Sequence, residues 1–149
     1  MAVETKQAAA VFDLRTPYLE QGRTTDIRAR TDRMTITAKV YAEGGENAMH
    51  HHLHEDHSFI VLEGEATFFL ESDDNAKVVR QYEGVMLPVG ANYWFKSTGG
   101  QNLVMVRVGA IYPEAKHGRL TPDGRDIPGD SEENKTVERI ERPGKGFGA

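Results

Sequence analysis

From Met34 to Tyr41 apolar and polar residues alternate, with Met34, Ile36, Ala38 and Val40 on one face and Thr35, Thr37, Lys39 and Tyr41 on the other. A period of two predicts a half-buried strand. Strand signatures recur at residues 46–53, 57–62, 66–70, 77–82, 85–87, 93–96 and 103–108. Turn sequences separate them: Glu43-Gly44-Gly45, Glu63-Gly64-Glu65, Ser72-Asp73-Asp74-Asn75 and Thr98-Gly99-Gly100-Gln101-Asn102. Pro88 cannot donate to a ladder, which predicts a strand end or bulge there. Short strands at regular spacing, with no long amphipathic helix, predict an all-β sandwich or closed barrel.

The flanks read differently. Residues 1–33 are polar, with an extended step at Thr16-Pro17-Tyr18 that predicts an edge strand. Arg23, Arg28, Arg30 and Arg33 could bind an anion, but Asp26 and Asp32 interleave with them, which predicts a solvated or intersubunit ion-pair surface. Residues 113–149 hold four of the six prolines and six of the fifteen glycines. So proline- and glycine-rich a stretch predicts an arm beyond a central barrel at 34–112. The arm is expected to wrap the barrel or reach a neighbouring subunit through Leu120, Ile127, Val137, Ile140 and Phe147, or else to be a partly disordered tail. A turn at Pro122-Asp123-Gly124 and a short helix over 131–141 are expected within it.

Composition narrows the function. A 149-residue chain accommodates one domain with a real core. A net charge of −5 gives no basic field for nucleic acid or an anionic membrane, so the expected partners are a small-molecule substrate and protein. Cysteine is absent, which excludes disulfides, thiolate ligands and a cysteine nucleophile. With no secretory-type apolar leader and no 18-residue apolar stretch, a cytoplasmic location is expected. Edge strands that need covering, together with the arm, suggest a homodimer.

The candidate chemistry is concentrated in Met49-His50-His51-His52-Leu53-His54-Glu55-Asp56-His57, which holds five of the six histidines. On a strand, His50 and His52 share a face, with Met49, His51 and Leu53 opposite. After a polar break at Glu55-Asp56, His57 shares a face with Phe59 and Val61, and a hairpin would bring the three imidazoles together. Three converging imidazoles with open positions suit a catalytic divalent metal. His51 and His54 read as surface or interface residues, and His117, in the arm, as solvated. Phe59, Val61, Phe68, Leu70, Met86, Phe95, Met105 and Arg107 are candidates for the barrel lining.

Two motifs carry a resemblance. Gly44, His50-x-His52, His57 and Gly64 resemble the first motif of the cupin superfamily, and Pro88-x-Gly90-x-x-Tyr93 resembles the second. Together they span residues 44–97, and the strand pattern from 34 to 111 is similar to the jelly-roll barrel of small single-domain cupins. The resemblance implies one metal, held by two histidines and a carboxylate or amide from the first motif and a histidine from the second. Carried over by position, His50 and His52 match the paired histidines, His57 stands at the glutamate position and Tyr93 at the second histidine position. Glu55 does not align as the missing carboxylate, because its distance to Gly64 differs. Tyr93 is then a weak fourth ligand, an acid/base beside the metal or a lining aromatic.

These readings imply one divalent metal per chain, with Fe(II) favoured and Zn, Mn, Ni or Cu as alternatives. The leading expectation is a mononuclear non-haem dioxygenase acting on a small organic substrate. The alternatives are a redox-neutral lyase, isomerase or cyclase using Tyr93 as acid/base, and a non-catalytic small-molecule-binding protein.

Overall fold

In a computed structural model, residues 7–128 and 137–149 are described, the side chains of residues 46 and 47 excepted, and the alternating segments pair into two antiparallel sheets. One sheet runs β2 (Arg23–Arg30), β3 (Met34–Tyr41), β10 (Leu103–Ile111), β5 (Glu55–Glu63), β8 (Gly84–Leu87). The other runs β4 (Gly45–His50), β9 (Tyr93–Ser97), β6 (Glu65–Leu70), β7 (Ala76–Arg80). Their inner faces share a core of Tyr41, Phe59, Val61 and Met105 from the first sheet and Ala66, Phe68 and Phe95 from the second. Phe68 stacks on Phe95 at 4.8 Å between centroids, and Tyr41 meets Phe95 edge-on at 5.1 Å. These rings make an aromatic floor to the barrel.

The polarity of β3 is the opposite of what its alternation suggests. Thr37, Lys39 and Tyr41 turn into the barrel, where Thr37 pairs across the ladder with Arg107 and Lys39 with Met105. The apolar face looks outward and is covered in part: Val40 packs with Leu19 and Val104, and with partly buried Tyr18, Leu62 and Phe147. Hydrophobic burial still drives the strand's placement, but its apolar side meets the flanking strands instead of the barrel interior. Met86 likewise turns away from the barrel interior. The β5–β8 register sets it opposite outward-facing Ser58 and sets Leu87 opposite His57, so Met86 is 68% exposed and lines nothing.

The flanks close back on the barrel. β1 (Thr16–Gln21) pairs with β13 (Ile140–Phe147), which overturns the expected helix where it reaches Ile140 and Glu141: these residues form the start of a strand that satisfies the β1 edge. Residues 131–136 of that expectation lie outside the described residues. β11 (Arg119–Leu120) and β12 (Asp126–Ile127) form a small hairpin around the expected turn, with Gly124 in the left-handed region at φ 90°. Of the expected anchors, Leu120 and Ile127 are buried and Phe147 is half-buried, whereas Val137 and Ile140 are exposed.

Asn102 joins β1 to the barrel. Its side-chain oxygen accepts from the Leu19 amide at 2.7 Å and its amide donates to the Leu19 carbonyl at 3.0 Å, with both residues buried. Asn102→Ala leaves two buried backbone groups unsatisfied and is expected to cost about 2–3 kcal/mol in urea unfolding. A midpoint unchanged from the parent would show that β1 does not depend on this clasp.

Candidate metal centre and its cavity

His50 ends β4, where a register shift between Glu46 and His50 sets it opposite Tyr93 on β9. The two rings lie 4.4 Å apart. The chain then leaves the strand, and the His52 carbonyl accepts from the Gly90 amide at 2.9 Å. Gly90 takes φ +85°, a conformation that favours glycine, so the second motif holds the first in place. His52 stands 5.2 Å from the His50 ring and 4.7 Å from the His57 ring. The three imidazoles therefore meet, though not through a hairpin: β4 and β5 belong to different sheets.

Glu55 belongs to the cluster, which the motif alignment did not indicate. β5 begins at Glu55, two residues earlier than its apolar run suggests, so Glu55 and His57 share the inner face. His57 Nε2–H donates to Glu55 Oε2 at 2.5 Å. Parity was the available signal, hidden because Glu55-Asp56 reads as a turn. Gly109 stands opposite His57, and a Cβ there would lie 2.5 Å from Glu55 Oε2 and 2.7 Å from Thr35 Oγ1. The carboxylate thus occupies space that only glycine leaves open.

The electrostatics keep His52 and His57 neutral. Burial, reinforced by His57 and His50, holds His52 far below its ordinary value, at about 2. Burial also lowers His57, against the opposing hydrogen bond to Glu55. Burial acts to raise the Glu55 carboxyl, but the His57 hydrogen bond and the positive charge of Arg107 outweigh it, so Glu55 stays ionised. His50 Nδ1–H donates to the Ala48 carbonyl at 2.8 Å, leaving its lone pair on Nε2. An imidazole oriented this way is ready to ligate a metal.

Among the described residues, no three histidine, aspartate or glutamate side chains already stand in a metal-coordinating arrangement, and His57 Nε2 is turned onto Glu55. The donor set nonetheless fits a divalent metal chemically. Ligation needs neutral imidazole and ionised carboxylate, and the buried Nδ1 of His52 has no hydrogen-bond partner among the described residues.

The other histidines have separate surroundings. His51 donates from Nδ1 to Asn92 Oδ1 at 2.9 Å, and its backbone bridges to Leu120. His54 stacks on His117 at 4.6 Å, which places the exposed arm histidine over the edge of the cluster.

His52 and Tyr93 open onto a cavity of about 260 Å³ that Tyr41 also lines. Its remaining wall carries Arg23, Thr25, Lys39, Arg107 and Arg119. Arg23 therefore separates from the other N-terminal arginines: it faces this cavity and donates to the Gly45 carbonyl at 2.8 Å, whereas Arg28 bonds the Arg15 carbonyl on the flank. A larger open groove of about 600 Å³ runs between β1 and β13 and contains no histidine.

No protein-family model and no curated protein matches the chain. Solved structures do. A cupin superfamily protein from Desulfitobacterium hafniense is 17% identical, with a TM-score of 0.52 over 60% of this chain and 78% of that one. A conserved protein with a double-stranded β-helix domain from Klebsiella pneumoniae is 17% identical, with a TM-score of 0.55 over 63% and 81%. An oxalate oxidase in complex with the substrate analogue glycolate is 22% identical, with a TM-score of 0.51 over 61% and 52%. The chain has a cupin fold, an all-β jelly-roll barrel.

Gly109→Ala is expected to push Glu55 away from His57 and to cost about 1–3 kcal/mol through overpacking. Imidazole nitrogen NMR should then show the loss of the His57 Nε2–H hydrogen bond. An unchanged His57 signal would refute this account of Gly109.

Proposed function

We propose that this cupin barrel is a metal-dependent enzyme for a small hydrophilic organic substrate. The observation that carries the reading is the convergence of His50, His52 and His57 with ionised Glu55 at one end of a cavity walled by polar side chains. His50, His52 and His57 would hold one divalent metal, with Glu55 supplying negative charge. When bound, the metal supplies Lewis acidity to a substrate carbonyl or enolate oxygen.

The protein's own part is positioning and proton transfer. The aromatic floor of Phe59, Phe68 and Phe95 excludes water from beneath the site. Tyr93, 2% exposed and beside His50, holds or moves a proton at its phenol oxygen. The polar wall favours redox-neutral isomerisation, elimination or cyclisation over oxidation of an apolar aromatic. A second reading, an Fe(II) dioxygenase, draws support from the histidine-rich donor set. Turnover that persists without oxygen selects the first reading, and stoichiometric oxygen uptake selects the second.

His52→Ala should abolish stoichiometric metal in elemental analysis of tag-free protein, while His51→Ala keeps it. Tyr93→Phe should retain the fold and lower turnover by roughly 10²–10⁴-fold. Metal far below one per chain in the parent, with no thermal stabilisation by added Fe(II), Mn(II) or Zn(II), would instead identify a non-catalytic binding protein.

We also propose a homodimer in the cytoplasm. No helix among the described residues is long and apolar enough to cross a membrane. Met34, Ile60 and Met86 are exposed on the outer face of the five-stranded sheet, and the extended N-terminal segment exposes Val11 and Phe12. Light scattering is expected to give twice the chain mass for the parent and the chain mass for an Ile60→Lys, Met86→Lys double variant. A monomeric parent would overturn the dimer.

A further inference from the structure

The loop that leads into β11 carries the arm histidine onto the histidine motif. Tyr112 N–H donates to the His54 carbonyl at 2.6 Å, and Leu120 and His51 exchange backbone hydrogen bonds at 2.9 and 3.0 Å. Residues 113–119 are thus pinned to the motif at both ends, and Gly118, at φ +96°, turns the chain beside His117. His117 is exposed, and its ring stacks on that of His54 at 4.6 Å between centroids and 30° between planes. His54 itself is only 13% exposed. Its Nε2 faces Glu55 Oε1 at 3.5 Å, which favours the proton on that nitrogen and leaves the lone pair on Nδ1. That Nδ1 is buried without a hydrogen-bond partner among the described residues. An imidazole with a carboxylate facing one nitrogen and an unused lone pair on the other is prepared as a metal ligand.

We propose that His54 and His117 form a second metal site, a two-imidazole clasp for a divalent cation such as Cu(II), Zn(II) or Ni(II) that ties the arm to the histidine motif. It uses none of His50, His52 and His57, and so stands apart from the function proposed above. Two imidazoles bound to one ion at about 2.0–2.1 Å have ring centroids roughly 4.5–5.3 Å apart. The His54–His117 separation of 4.6 Å already falls in that range. The rings are closer to parallel than to perpendicular, so His117 must turn about its side-chain bonds to aim a nitrogen at the ion. Being exposed, it makes that turn quickly and without movement of the barrel. Imidazole suits all three cations, and solvent takes the remaining positions. Glu55 then serves both sites, with Oε2 accepting from His57 and Oε1 facing His54. Two protein ligands hold an ion more weakly than a fuller donor set, so this site fills when the cation is added and empties during purification.

Calorimetric titration of tag-free, full-length protein with Cu(II) tests this. The His52→Ala variant, which removes the first site, should still take up one Cu(II) per chain, with EPR superhyperfine splitting from two imidazole nitrogens. Adding His117→Ala to that variant should weaken the ion at least tenfold, whereas adding His51→Ala should leave its affinity unchanged. Because His117 is exposed, its replacement does not endanger the fold. If His52→Ala fails to fold, loss of one Cu(II) equivalent from the parent on His117→Ala gives the same reading. Bound Cu(II) should also slow amide hydrogen exchange at Leu120 at least tenfold in the parent and leave it unaltered in His117→Ala. A parent that binds one Cu(II), and loses it on His117→Ala but not on His52→Ala, would support the clasp while sinking the first site. Equal Cu(II) affinity with and without His117, or binding that leaves Leu120 exchange unchanged, overturns the inference.

Discussion

The two-sided pairing of β5 is the constraint on which the site depends. Its ladders to β10 and β8 hold one inner row of side chains, running from Glu55 and His57 at the chemical end to Phe59 and Val61 in the core. Because side chains alternate with a period of two, a slip of one residue would turn the carboxylate, the imidazole and both core residues outward together. The register also sets Gly109 opposite His57, which leaves room for the Glu55 carboxylate. Core packing and site chemistry therefore share one alignment, and neither can shift without the other.

The barrel interior is graded along its length. Phe68, Phe95 and Phe59 fill one end with stacked and tilted rings, and polar side chains occupy the other. Burying His52 and His57 is tolerable because they are neutral, and placing Glu55 beside them is tolerable because His57 donates to it. Lys39 is accommodated against aromatic faces. This grading also accounts for the apolar outer face of β3, since a strand that turns Thr37 and Lys39 inward must bury Val40 elsewhere. β1 and the C-terminal strand provide that cover through Leu19 and Phe147.

The C-terminal arm joins the fold to the site in two places. β13 completes the β1 edge, and the β11–β12 hairpin lies against the histidine segment, bringing His117 to His54 and Arg119 to the cavity. The described strands of this glycine- and proline-rich segment complete their backbone hydrogen bonds with β1, with each other and, at Leu120, with His51.

The sequence by itself determined most of the strands, their turns, and the pairing of a histidine-rich motif with a glycine-containing one, because side-chain alternation and turn chemistry are local properties. It also indicated that His50 and His52 lie together, although β4 ends at His50 and the turn after it, not strand alternation, places His52. What only the tertiary structure decided was which face of each strand looks inward. Alternation is symmetric, so the polar face of β3 and the true direction of Met86 became legible only with the β3–β10 and β5–β8 registers in hand. Glu55 was hidden for a related reason, since a Glu-Asp pair reads as a turn until the β10 ladder extends β5 through it. Arg23 and Arg119 lie nearly a hundred residues apart, and no local pattern could show that one strand pairing and one backbone bridge bring them to the same cavity.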